Sequence, residues 1–277
     1  MDPVDVIDLF PGERAALLGL LSGLDDAEWR AATACPGWSV KDVALHLLGD
    51  DVGRLSGGRD GFPNPAFGAD LDLGTWDGLV AAIDRQNAAW VAGTRRMSPR
   101  LLIDLLRVTG EATEAYFRDL DLTAIGAPVD WAGPEPAPVW LDLAREYTER
   151  WVHQQHVRDA VGRPGLIERR WLAPVLATFA RALPRALHGD SAGSGARVRL
   201  VVTGEAGGEW SAARSEAGWR LVHPSAMPAT ATVTLDQDLA WRLFTRGIAP
   251  EHAASRVTVE GDGPLAAAVL RTVSIIA

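Results

Sequence analysis

The stretch Gly189-Asp190-Ser191-Ala192-Gly193-Ser194-Gly195 constrains what this chain can fold into more than any other. Its composition is that of a flexible linker, and the hydrophobic period changes across it. Before it, apolar residues recur at helical spacing through long segments. After it, they alternate in short runs such as Arg197–Thr203, which reads RVRLVVT and has the period of a strand. One change of period at one linker predicts an α+β protein of two domains. A helical bundle is expected over residues 1–190 and a small α+β domain over 195–277.

Within the first part, 12–24 reads as an amphipathic helix. Pro36-Gly37 makes a turn, and Ser39 caps the next helix with Asp42 at the capping-box position. Val40, Val43, Ala44 and Leu47 supply that helix's buried stripe, and His46 lies on or beside it. The Gly-, Pro- and Asp-rich stretch 57–74 has the length of a lid or binding loop. Further helices are expected at 75–97, from Ser98-Pro99 to about Leu120, and at 140–162 after a Gly/Pro-rich loop at 124–138. Another, at 168–188, is broken near Pro184. Together these predict an up-down bundle. In the tail, strands are expected at 197–203, 209–214, 218–222, 229–235 and 256–260, with helices at 236–245 and 263–276. They make a small antiparallel sheet with helices on one side.

The formal net charge of −9, with no basic stripe to offset it, excludes nucleic acid as the expected partner. A single cysteine, Cys35, forbids an intrachain disulfide and a cysteine-based metal cage, and suits a reducing cytoplasm. The N-terminus MDPVDVIDLF is acidic and does not read as a signal peptide. No apolar stretch is long enough to span a membrane. The expected protein is a cytoplasmic monomer.

The chemistry concentrates in Arg145–Gly162, REYTERWVHQQHVRDAVG, a helix closed by Gly162. Glu149 and His153 are four residues apart and His156 follows three later, so the three share a face. A carboxylate and an imidazole one turn apart hold one metal ion when a third ligand arrives from another helix. His46 is available for that part, and His46, Glu149 and His153 together make the ligand set of a catalytic centre with open positions. The competing expectation is ordinary polar surface for the first three and a hydrogen-bonded core residue for His46. Cys35 can be read as a nucleophile, but nothing basic is adjacent in sequence to lower its pKa, and it reads instead as part of a turn. Arg54 and Arg158 can face a substrate anion or plain solvent.

The segment CPGWSVKDVALHL resembles the N-terminal signature of the mycothiol-dependent maleylpyruvate isomerase family, a branch of the DinB-like metal-binding bundles. Its Cys-Pro-Gly-Trp turn stands at Cys35–Trp38, its His-Leu pair at His46-Leu47, and its Glu-x-x-x-His at Glu149–His153. The linker and tail resemble that family's small, sterol-carrier-like C-terminal domain. The resemblance implies that His46, Glu149 and His153 bind a divalent metal, zinc above all. It implies mycothiol as thiol cosubstrate, and isomerisation or S-transfer on a small electrophile. Many members carry Asp where this chain has His156, which is therefore a candidate general base or a partner of the ligands, with Arg54 a candidate substrate contact. The alternative is a metal- or ligand-binding module without turnover.

Overall fold

Side-chain caps set where three of the first four helices begin. The computed structural model describes residues 2–274, with α1 at Phe10–Ser22, α2 at Val40–Gly53, α3 at Trp76–Thr94 and α4 at Pro99–Arg118. The Ser39 hydroxyl accepts from the Asp42 amide while the Asp42 carboxylate accepts from the Ser39 amide, a full capping box. The Thr75 and Ser98 hydroxyls cap α3 and α4 by accepting from the Gly78 and Leu101 amides, without the reciprocal bond, and Pro99 opens α4 where no amide is needed. α5 runs Val139–Ala160. Gly162 beyond it has φ of 62°, the left-handed conformation in which helices commonly end.

Contacts group the chain into two compact units, and the division falls inside α5. One unit holds Val6–Asp121 and Glu149–Leu166; the other holds the remaining described residues, 167–190 among them.

In the first unit α2 is the central helix. The apolar stripe expected on it widens to a full circumference, since every residue from Asp42 to Leu48 is buried. The run Val43–Leu48 is apolar on all sides except for His46, and a helix with no polar face is buried all round. Gly49 admits the Trp90 ring of α3, whose Nε1 donates to the Leu45 carbonyl at 2.7 Å. α2 does not stop at a loop at Gly57. It runs into a π-helical turn, Arg54–Arg59, and the irregular stretch follows that.

The second unit holds the start of α5, α6 (Arg169–Phe179), a 3₁₀ turn at Ala180–Ala182 and α7 (Leu183–Ala186), so the expected break precedes Pro184. The loop expected at 124–138 contains a two-stranded ribbon, β1 (Ile125–Pro128) with β2 (Pro136–Pro138). A five-stranded sheet follows: β3 (Arg197–Thr203), β4 (Gly208–Ser215), β5 (Gly218–Val222), β6 (Ala231–Asp236) and β7 (Thr258–Gly261). Its order is β5-β4-β3-β6-β7. The expectation of a wholly antiparallel sheet needs correction: β3 and β6 pair in parallel, Val198 opposite Ala231 and Val202 opposite Leu235. The chain leaves β5 at one edge and returns beyond β3, so it re-enters the sheet in the direction of β3. Val198, Leu200 and Val202 alternate into the core, where α8 (Gln237–Phe244) and α10 (Gly263–Leu270) pack; α9 (Pro250–Ala253) is a short turn between them. The closing helix expected over 263–276 ends at Leu270, and Ile275 and Ile276 lie outside the described residues. The fold is α+β, helical first and sheet-rich last. Among the described residues no helix is long and apolar enough to cross a membrane.

Candidate metal centre

The second half of α5 is polar in sequence and buried in structure. Arg150 is 2% exposed, His153 9%, Gln154 0% and Gln155 2%. Burying such groups costs several kcal/mol each unless they are paired, and here they are paired. Arg150 Nη1 donates to Asp51 Oδ1 of α2 at 2.7 Å. Arg14 of α1 donates to both Asp51 oxygens at 2.8 Å, and Thr109 of α4 donates at 2.6 Å. Burial pushes the Asp51 carboxyl up, but Arg150 and Arg14 outweigh it and hold the group below the usual carboxylate range. This network fixes α5 against α2. It therefore sets the register of the neighbours of Arg150 and Asp51, which are Glu149 and Asp50.

On that register His46 meets α5. His46 Nε2 is 3.2 Å from Glu149 Oε1, and His153 Nε2 is 2.9 Å from the same oxygen. The three ligand atoms lie within 4.8 Å of one another. Donors at about 2.1 Å from one ion, at tetrahedral angles, stand about 3.4 Å apart. The set therefore fits a divalent ion in distance as well as in chemistry. Burial pushes the Glu149 carboxyl up, but His153 and His46 outweigh it and hold Glu149 well below its ordinary range. Burial presses His153 down, but Glu149 and Cys35 hold it well above its ordinary range. Asp50 Oδ2 stands 3.4 Å from His46 Nε2. Sequence reasoning did not single Asp50 out. The signal was present: His46 and Asp50 are four apart, the same one-turn spacing as Glu149 and His153.

Cys35 needs a correction. The absence of a basic neighbour in sequence did not mean the absence of one in space. Cys35 Sγ lies 3.2 Å from His156 Nδ1, 121 residues away, and 3.8 Å from His153 Nδ1. Desolvation raises the thiol, but the two imidazoles more than reverse this and bring its pKa down to about 5. His156 thus stands on the Nδ1 side of His153, and His46 and Glu149 on the Nε2 side. Arg54 is half-buried at the first residue of the π-helical turn. Arg158 holds Gln154 Oε1 at 2.9 Å and the Pro164 carbonyl at 2.7 Å, closing the end of its own helix. The residues of both metal-capable groups, among those described, belong to the first unit.

The family model for the mycothiol maleylpyruvate isomerase N-terminal domain matches residues 10–158, the span that carries every candidate ligand named above. The chain belongs to this family. Two solved structures share the fold of this family member: a mycothiol-dependent maleylpyruvate isomerase and a variant of it with one histidine changed to alanine. Each is 14% identical, with 93% of this chain and 93% of that chain covered at a TM-score of 0.53. No curated protein matches the chain.

Proposed function

We propose that this protein is a zinc-dependent enzyme that uses a low-molecular-weight thiol, mycothiol, to isomerise or S-conjugate a small electrophile. It acts as a monomer in a reducing cytoplasm. The observation that carries this reading is the convergence of His46 Nε2, Glu149 Oε1 and His153 Nε2 in a chain of this family. These three residues would hold the zinc. Zinc bound there supplies positive charge that favours the thiolate form of a thiol at neutral pH.

The remaining work falls to the chain. Glu149, kept ionised beside two imidazoles, is ready as a ligand throughout the neutral range. Cys35 on the Nδ1 side of His153 directs Nε2 toward Glu149, an orienting partner of the ligand. Trp38, its ring centroid 5.3 Å from that of His46, keeps water from one side of the imidazole. His156 Nε2 is the atom we assign to proton transfer, and Arg54 we assign to an anionic group of the substrate. The thiol sulfur adds to an activated double bond. Rotation about the resulting single bond and loss of the same sulfur gives isomerisation. Protonation of the adduct instead gives an S-conjugate.

The test is zinc content together with mycothiol-dependent turnover, with maleylpyruvate as the first electrophile, on the native chain and on His46→Ala. Native protein should carry zinc and turn over, and the variant should lose both. A native protein that holds zinc but, with the thiol present, neither isomerises nor S-conjugates any activated olefin would instead be a binding module.

A further inference from the structure

The ring of His153 offers one nitrogen to each of two donor sets. Its Nε2 faces Glu149 at 2.9 Å, while its Nδ1 faces Cys35 Sγ at 3.8 Å. Cys35 Sγ in turn stands 3.2 Å from His156 Nδ1. A tetrahedral ion with sulfur at about 2.3 Å and nitrogen at about 2.05 Å places S and N about 3.6 Å apart. The two observed S···N separations bracket that value. Cys35, His153 and His156 offer ligand atoms within 4.8 Å of one another, a group separate from the one containing His46 and Glu149. All three side chains are at least partly withdrawn from solvent. The helix explains the pairing of the two histidines. His153 and His156 are three apart on α5, with ring centroids 5.4 Å apart, so one face of the helix presents both to the Cys35 turn.

We propose that Cys35, His153 and His156 form a second metal-ion site, one that takes thiophilic ions and competes with the first set for His153. One thiolate and two imidazoles select soft ions such as Cd²⁺ and Cu⁺, whereas the set with Glu149 suits harder and borderline ones such as Zn²⁺ better. The sites are coupled because they share a ring. A neutral imidazole has one lone pair to give, so an ion on Nδ1 leaves a proton on Nε2 and takes a ligand from the first set. A soft ion is therefore an inhibitor of the thiol chemistry proposed above. The inference rests on that reading for this consequence only, not for the existence of the site.

The experiment is a cadmium titration of the full-length protein, followed by the thiolate-to-cadmium charge-transfer band. The reductant is a phosphine, so that Cys35 is the only thiol present. It is run on the native chain, His46→Ala, Cys35→Ser and His156→Ala, each checked for folding by circular dichroism. The band should appear in the native chain and persist in His46→Ala, where the first set is broken. It should vanish in Cys35→Ser, and fall in His156→Ala with a loss of cadmium affinity of about tenfold or more. Cys35→Ser should still take up zinc. A folded His46→Ala with no band overturns the second site, as does a band undiminished in His156→Ala. Loss of zinc from His46→Ala in a protein that keeps its cadmium band supports both sites. Zinc uptake unaffected by His46→Ala would instead count against the first, so the two readings fail separately.

Discussion

Asp51 shows what one buried charge does for this site. It accepts from Arg14, Arg150 and Thr109 and is 0% exposed. Asp51→Asn removes the counter-charge of two buried arginines. It should cost about 3–5 kcal/mol in urea unfolding, and should also lower metal affinity, because Arg150 sits beside Glu149. The folded pKa of Asp51 is depressed, so its stabilisation is present above the unfolded value. It is lost as pH falls below about 4 toward the folded pKa. Glu13 has the opposite sign. Burial raises it against the pull of Arg14 and Arg150, and its Oε2 is buried without a hydrogen-bond partner. A raised carboxyl contributes stability below its unfolded pKa and loses it as pH rises through the folded value. Glu13→Gln removes that loss and keeps an acceptor for Gln154. Its stability relative to the native chain should therefore rise as pH increases above about 4.5; a flat or falling difference would show that Glu13 is ionised at no cost. Neither residue was legible as sequence, because a Glu-Arg pair in an amphipathic helix has the pattern of a solvated face. The pair Glu149 and His153 was legible because one-turn spacing is a local property; His46, 103 residues from Glu149, was reached only through the chemistry of the ligand set and the family resemblance. The pairing of Cys35 with His156 was not legible, since it spans 121 residues.

At the scale of the element, local chemistry carried most of the information. The capping box at Ser39, the caps at Thr75 and Ser98 and the left-handed Gly162 all stand in the structure where the residue types place them. Ser39→Ala should cost about 1 kcal/mol by loss of the cap. It should also loosen the turn that holds Cys35, seen as faster thiol alkylation. Gly49 gives a second measure of α2. A Cβ there would come 2.7 Å from Trp90 Nε1, so Gly49→Ala must displace the indole and its bond to Leu45. We expect a loss of about 1–3 kcal/mol and a shift in tryptophan fluorescence. An alanine tolerated without either change would mean that the α2–α3 packing yields. Pairing between elements was less legible. The prolines at 128, 136 and 138 read as loop, yet a ribbon of two edge strands tolerates them. The parallel run of β3 and β6 left no trace, because alternation has the same period in either direction.

At the scale of the whole molecule, the ligands bear unequally on its two units. His46 on α2 and Glu149 and His153 on α5 all belong to the unit built from Val6–Asp121 and Glu149–Leu166. An ion held by them ties helices whose ligands lie about a hundred residues apart in sequence, 103 between His46 and Glu149. It binds the folded form of that unit and not the unfolded chain's scattered ligands. Mass action then stabilises the unit by about 2.7 kcal/mol when free ion is a hundred times the dissociation constant. The sheet β3–β7 supplies no ligand to either metal-capable group among the described residues. Zinc should therefore slow amide exchange in α2 and in Glu149–Ala160 by up to about a hundredfold where exchange follows opening of that unit. Exchange in β3 and β6 should change much less. His153→Ala should abolish the zinc effect while keeping the exchange pattern of the zinc-free native chain. Equal protection of both units would mean that they open together. No protection in α2 of the native chain would mean that the three converging ligand atoms do not hold an ion.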